Sequence, residues 1–116
     1  MRLVLALIQP TKLRAVQEAL AKMGVERMTV CDAQGYGQQR GNAAGERGPA
    51  SRPGLLRKVA LEIAVNDDFL ERTIETISHA ARSGASGKVG DGKVFVLPID
   101  EVVRLSDVVR GPEAVS

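Results

Sequence analysis

Ser83 to Val96 reads SGASGKVGDGKVFV. Gly84, Gly87, Gly90 and Gly92 surround Lys88, Asp91 and Lys93, and the stretch runs directly into β-branched and aromatic residues. Without a Cβ, a glycine lets backbone N–H groups approach a ligand closely. Lysines beside such groups favour an anion, phosphate first. The spacing Gly87-x-x-x-x-Gly92-Lys93 imitates a P-loop. However, Val94 stands where a P-loop needs Ser or Thr for magnesium, and the order is helix, loop, strand rather than strand, loop, helix. The residues alone leave two readings open, a phosphate cradle or a flexible connector.

Working outward, the residues before the loop repeat at helical spacing. Leu70, Ile74, Ile77 and Ala81 form an inner stripe, Glu71, Arg72 and Glu75 face outward, and Asn66 or Asp67 is the expected N-cap. His79 lies on this helix without an acid, cysteine or second histidine at ligand spacing, and reads as a surface residue. Upstream, Val59, Leu61, Ile63 and Val65 alternate with Lys58, Ala60, Glu62 and Ala64, so 55–65 is a strand with one face in a core. Downstream, 93–99 is a strand, and Pro98 argues for an edge or a bulge. Residues 100–110 suit a short strand or turn, and 111–116 a loose tail.

The first third has the same form. Residues 2–9 are an apolar strand closed by Pro10. The run is too short for a signal peptide and has no small-residue cleavage site after it. Leu13, Val16, Leu20 and Met23 share a helix face, with Thr11 as N-cap and Gly24 as C′ residue. Met28, Val30 and Asp32 alternate with Arg27, Thr29 and Cys31 in a strand ending at Gly35. Between the two halves, Tyr36 to Gly54 holds five glycines from Gly37 to Gly54, two prolines and three arginines, with no large aliphatic residue. Such a segment buries too little to fix itself. At this length it reads as a surface insertion or as an arm that docks on a partner.

The element order is β-α-β, arm, β-α-β. It predicts one α+β domain over 1–116, a ferredoxin-like antiparallel sheet with both helices on one face. The other face then needs cover, which a second copy supplies most simply. The chain has 116 residues, 44% hydrophobic, and a net charge of +2. No apolar run approaches the ~20 residues of a membrane span. With only Tyr36, Phe69 and Phe95 as aromatics, a base-stacking surface has no material, and nucleic acid is not an expected partner. The single cysteine, Cys31, excludes an internal disulfide and suggests a cytoplasmic protein. It is expected to behave as a small buried hydrophobe. Periodicity brings together no carboxylate pair, Ser-His-Asp set or metal cluster, so no catalytic residue is expected.

Taken in order, several short motifs carry a resemblance. They are Gln9-Pro10 with Lys12-Leu13, Glu18-Ala19-Leu20, Gly24-Val25 with Met28-Thr29-Val30, and Gly35-Tyr36-Gly37-x-Gln39-x-Gly41. Lys58-Val59-x-Leu61-Glu62-Ile63 and Gly87-Lys88-Val89-Gly90-Asp91-Gly92-Lys93-Val94-Phe95-Val96 complete the set. Together they resemble the PII family of nitrogen-regulatory signalling proteins over nearly the whole chain. The resemblance implies a trimer of the ferredoxin-like fold that binds ATP or ADP in clefts between subunits. It also implies 2-oxoglutarate beside Mg-ATP, and a long arm (36–54), the T-loop, that engages a transporter, an enzyme or a regulator. Membrane contact would then come only through a transporter.

Carried over by resemblance, Thr29, Gly35, Gly37, Gln38, Glu62 and Val89 would surround the nucleotide. Gly90, Asp91, Gly92 and Lys93 would hold its phosphates, with Arg104 added across the subunit boundary. Gln39 and Lys58 would serve the 2-oxoglutarate and magnesium site. The chain also departs from the pattern. Gln38 and Ser106 stand where arginines are usual, which would cost ATP more than ADP, since each charge-assisted bond is worth about 1.5–3 kcal/mol. Ser51 replaces the arm tyrosine that some members modify and is itself a candidate modification site. Arg57 replaces a proline, and residues 85–87 look like an insertion. These departures keep an alternative open: a PII-like adaptor trimer with a different small effector or none.

Overall fold

The computed structural model describes residues 1–37 and 54–115. The expectations on Gln38, Gln39 and Ser51 lie outside the described residues. Four strands, β1 (Arg2–Ile8), β2 (Thr29–Gly37), β3 (Gly54–Val65) and β4 (Gly92–Pro98), form one sheet in the order β2-β3-β1-β4 with every neighbour antiparallel. Two helices, α1 (Leu13–Lys22) and α2 (Leu70–Ala81), pack on one face. This is the ferredoxin-like βαββαβ arrangement.

The alternation in β3 works as the residues dictate. Val59, Leu61, Ile63 and Val65 are buried against Val16, Leu20, Ile77 and Ala81 of the helices, together with Val4, Ala6 and Ile8 of β1. Each fully buried side chain of this size contributes about 1.5–3 kcal/mol. On α2, Thr73 is fully buried beside Ile77, while Ile74 is half-buried. Thr73 is tolerated there because its hydroxyl donates to the Phe69 carbonyl at 2.8 Å. Gly24 ends α1 as expected: at φ +94° it is the left-handed residue of a Schellman turn, with Gly24 N–H on Ala21 O and Val25 N–H on Leu20 O.

Several expectations are corrected. Thr11 does not cap α1: a 3₁₀ turn over Pro10–Lys12 leads into it, with Gln9 at the cap position and no side-chain cap bond. Neither does Asn66 nor Asp67 cap α2 through its side chain; another 3₁₀ turn, Asp67–Phe69, intervenes, and the Asn66 amide donates to Pro112 O instead. β2 runs on to Gly37, because Tyr36 and Gly37 pair with Leu55 and Gly54. β4 starts one residue earlier than expected, at Gly92, and ends at Pro98 on the sheet edge, as the proline suggested. The loose tail is instead a 3₁₀ turn over Gly111–Val115 with Ala114 buried. Residues 100–110 fold into a small hairpin tied by Arg104 N–H on Val109 O and Gly111 N–H on Val102 O. Cys31 is exposed, since β2 is the other edge strand and buries no side chain from Thr29 to Tyr36.

The second face of the sheet carries Leu3, Leu5 and Leu7 of β1 beside Phe95 and Leu97 of β4 and Ala60 and Ala64 of β3. Phe95 and Leu97 are exposed. This apolar face has no helix over it among the described residues. Large uncovered apolar patches mark association sites.

Candidate functional site

β1 ends and β4 begins at one row, and β3 runs on past it. Ile8 of β1 pairs with Val59 of β3 on one flank and with Gly92 of β4 on the other. One step beyond this row stand Gln9 and Lys58, and the Gly90 carbonyl of the glycine loop meets both. The Gln9 side-chain amide donates to it at 2.6 Å and the Lys58 ammonium at 2.7 Å. Burial draws the Lys58 ammonium below the ordinary lysine range, while the nearby Asp91 charge acts the other way.

The loop itself is held open by Asp91. Its Oδ2 accepts the Ser83 N–H at 2.9 Å and the Lys88 N–H at 2.8 Å, and its Oδ1 accepts the Ser83 hydroxyl at 2.6 Å. These bonds, the Ser83 hydroxyl foremost, lower the carboxyl to about pKa 2. Asp91 is thus the organiser of the loop, with its charge turned inward. The glycines are required by the shape they take. Gly92 lies at φ +124°, and a Cβ there would stand 1.8 Å from the Leu7 carbonyl oxygen. Gly87, at φ +78°, packs against Arg82 and the Asp91 carboxylate. Lys88 and Lys93 remain exposed. Lys93 pairs with Leu7, which puts it on the face without helices.

A cleft of about 590 Å³ lies between the loop and the C-terminal end of α2. Ile8, Ile77, Ala81 and Val94 form its apolar wall, and Arg82 and Lys88 stand beside it. Val89 is exposed next to it.

The remaining residues fall into separate groups. Gly35 sits against the Lys58 stem, since a Cβ there would lie 3.5 Å from Lys58 Cγ. Gly37 closes the β2–β3 ladder opposite Gly54. Thr29 pairs with Glu62 at the far end of that ladder. Lys58 and Glu62 share a face four residues apart on β3, about 13 Å at strand spacing. Arg104 is held in the C-terminal hairpin. It binds both oxygens of Asp107, at 2.9–3.3 Å, and the Glu113 carbonyl at 3.2 Å. The paired guanidinium lowers the Asp107 carboxyl in turn. The structure therefore joins Lys58, Gly35 and the glycine loop in one cluster, with Thr29–Glu62 and Arg104 placed elsewhere on the chain.

Gln9 enters the sequence reading only within the Gln9-Pro10 motif, with no site role. Before Pro10 it reads as the last residue of a strand, and nothing in its neighbours signals a bond reaching 81 positions along the chain. Among the described residues no group of three His, Cys, Asp or Glu side chains is placed to hold a metal, and no helix is long and apolar enough to cross a membrane.

Comparison with known proteins agrees with the fold described above. The family model "Nitrogen regulatory protein P-II" matches residues 1–108. The nitrogen regulatory protein GlnK1 of Methanosarcina mazei is 46% identical over 115 residues, covering 99% of this chain and 97% of that one. The nitrogen regulatory protein P-II of Azospirillum brasilense is 40% identical over 115 residues, covering 99% and 100%. Among solved structures, Arabidopsis thaliana PII bound to citrate superposes with a TM-score of 0.77 at 33% identity, covering 98% of this chain and 88% of that one. The chain belongs to the PII family of nitrogen regulatory proteins, which are regulatory signalling proteins and not enzymes.

Proposed function

We propose that this protein is a homotrimeric sensor that binds ATP or ADP at its subunit boundaries. It would respond to 2-oxoglutarate and act on a protein of nitrogen metabolism through the arm between β2 and β3. The observation that carries this reading is the glycine loop fixed by Asp91 with Lys93 exposed at its exit. A loop already in shape does not have to be ordered by the ligand, so less binding energy is lost. Fixed cations then offset a polyphosphate's charge.

The two halves of the nucleotide site fit a boundary between copies. Thr29 and Glu62 lie about 13 Å along the strand from Lys58, and Arg104 belongs to a third element. Two neighbouring chains would contribute one half each, with Asp107 keeping the Arg104 guanidinium oriented. The uncovered face with Leu3, Leu5, Leu7, Phe95 and Leu97 supplies the apolar surface such an assembly needs. Magnesium would come with the nucleotide, since the described residues form no metal cluster of their own. A cytoplasmic location fits the lone exposed thiol of Cys31.

Titration calorimetry with ATP, ADP and AMP, each with and without 2-oxoglutarate, tests this. ADP and ATP are expected to bind, with ATP gaining less than two more arginines would give. A ligand at 100 times its dissociation constant adds about 2.7 kcal/mol to stability, so melting curves give an independent check. No heat and no melting shift with any nucleotide would remove the reading and leave an adaptor trimer in its place.

A further inference from the structure

We propose that Gln9 is a positioning residue that holds the glycine loop in place when Lys58 leaves it for an anionic effector. This rests on the reading of Lys58 as a carboxylate-binding group. The Gly90 carbonyl has two lone pairs and, among the described residues, two donors, Gln9 at 2.6 Å and Lys58 at 2.7 Å. The two donors differ in kind. Lys58 is a charged ammonium on a flexible stem at the root of the arm, and its partner of choice is a carboxylate. Gln9 is neutral and does not compete for an anion. It is also fixed in place: its own carbonyl accepts the Lys12 N–H at 2.9 Å and starts the turn into α1.

A carboxylate that recruits Lys58 therefore leaves the Gly90 carbonyl still bonded. Without Gln9, that recruitment would strip a part-buried carbonyl of both its donors among the described residues, and Lys58 would be retained by the loop. Gln9 thus lowers the cost of releasing Lys58, and it ties the start of α1 to the phosphate loop.

The ligand-free test is hydrogen exchange at the Lys88 and Asp91 amides, whose acceptors lie within the loop. Gln9→Leu and Lys58→Met singly should each lower protection less than about threefold, because one donor remains. The double variant should lower it more than about tenfold beyond the product of the singles. Gln9→Lys, which keeps a donor of similar reach, should restore wild-type protection. Strictly multiplicative effects, or no rescue, would overturn the proposal. The ligand arm uses 2-oxoglutarate in the presence of ATP. Gln9→Leu should weaken 2-oxoglutarate about tenfold and leave ATP alone within about threefold. Equal loss for both, or for neither, also overturns it. If the wild-type protein takes up no 2-oxoglutarate, the proposed effector is wrong, and the exchange measurements alone decide the role of Gln9.

Discussion

Gly92→Ala puts a methyl group where the backbone leaves no room for one. The new Cβ would sit 1.8 Å from the Leu7 carbonyl oxygen and 2.9 Å from its carbon. Carbon and carbonyl oxygen normally rest at about 3.3–3.6 Å, so β4 must retreat from β1 by about 1.5 Å. Overpacking of this kind costs about 1–3 kcal/mol. A positive φ adds about 1–2 kcal/mol for a residue with a Cβ, and a weakened ladder bond about 0.5–1.5 kcal/mol. Alanine returns about 0.4–1 kcal/mol by stiffening the unfolded chain. The net loss is about 1.5–6 kcal/mol, or a melting temperature lower by about 6 °C or more in a domain this small. Two glycines separate the causes. Gly24 has φ +94° but open space around its Cβ position, so Gly24→Ala should lose only the conformational part. Gly54 has neither problem, and Gly54→Ala should stay within about 0.5 kcal/mol. Melts at one fixed chain concentration keep any assembly equilibrium constant. A Gly92→Ala protein that melts within about 2 °C of Gly24→Ala would refute the argument that Leu7 excludes a side chain there.

Further outcomes follow from the same geometry. Asp91 has its carboxyl near pKa 2 when folded and about 3.9 when unfolded. Its stabilisation of the loop is therefore complete above about pH 4 and lost as pH falls towards 2. The Ser83 and Lys88 amide signals should titrate in NMR with a midpoint near 2, and a midpoint near the unperturbed value would contradict the bonding described. Lys93→Ala should weaken ADP by about 1–3 kcal/mol through a lost charged contact; unchanged calorimetric affinity would remove Lys93 from the site. Leu5→Glu places a charge between Glu62 and Phe95 on the uncovered face. Light scattering should then report single chains with unaltered helix content, whereas an intact assembly would show that the face is not buried between copies.

The strands and helices were legible because their signals are local. Val59 to Val65 alternate along one strand, and Leu13, Val16 and Leu20 recur along one helix, so burial on a single face was written into spacing alone. The glycine loop was legible as a loop, and its resemblance to PII proteins pointed to a phosphate. What spacing does not encode is register. Gln9, Lys58 and Gly90 come together only because Ile8 pairs with Val59 and with Gly92 at once. The direction of the Asp91 carboxylate escaped for a similar reason: whether an acid in a glycine-rich run turns inward depends on which N–H groups the turn presents. The C-terminal turn escaped because Ala114 is buried by tertiary contact, without any periodic pattern of its own. Cys31 followed its strand's position at the edge, against its residue type's usual preference.

The pairing of β3 changes partway along its length. From Val59 to Val65 it has β1 beside it, but from Gly54 to Lys58 its only ladder partner among the described residues is β2. Those last residues make a two-stranded outrigger about 16 Å long at strand spacing. Its fulcrum is the row where Lys58 meets Gly90. A ribbon this narrow twists more readily than a full sheet. A rotation of about 10° at the fulcrum would carry the far end through about 3 Å over that length, so a small adjustment around one ammonium group would be geared up into a visible change of posture at the ribbon's tip.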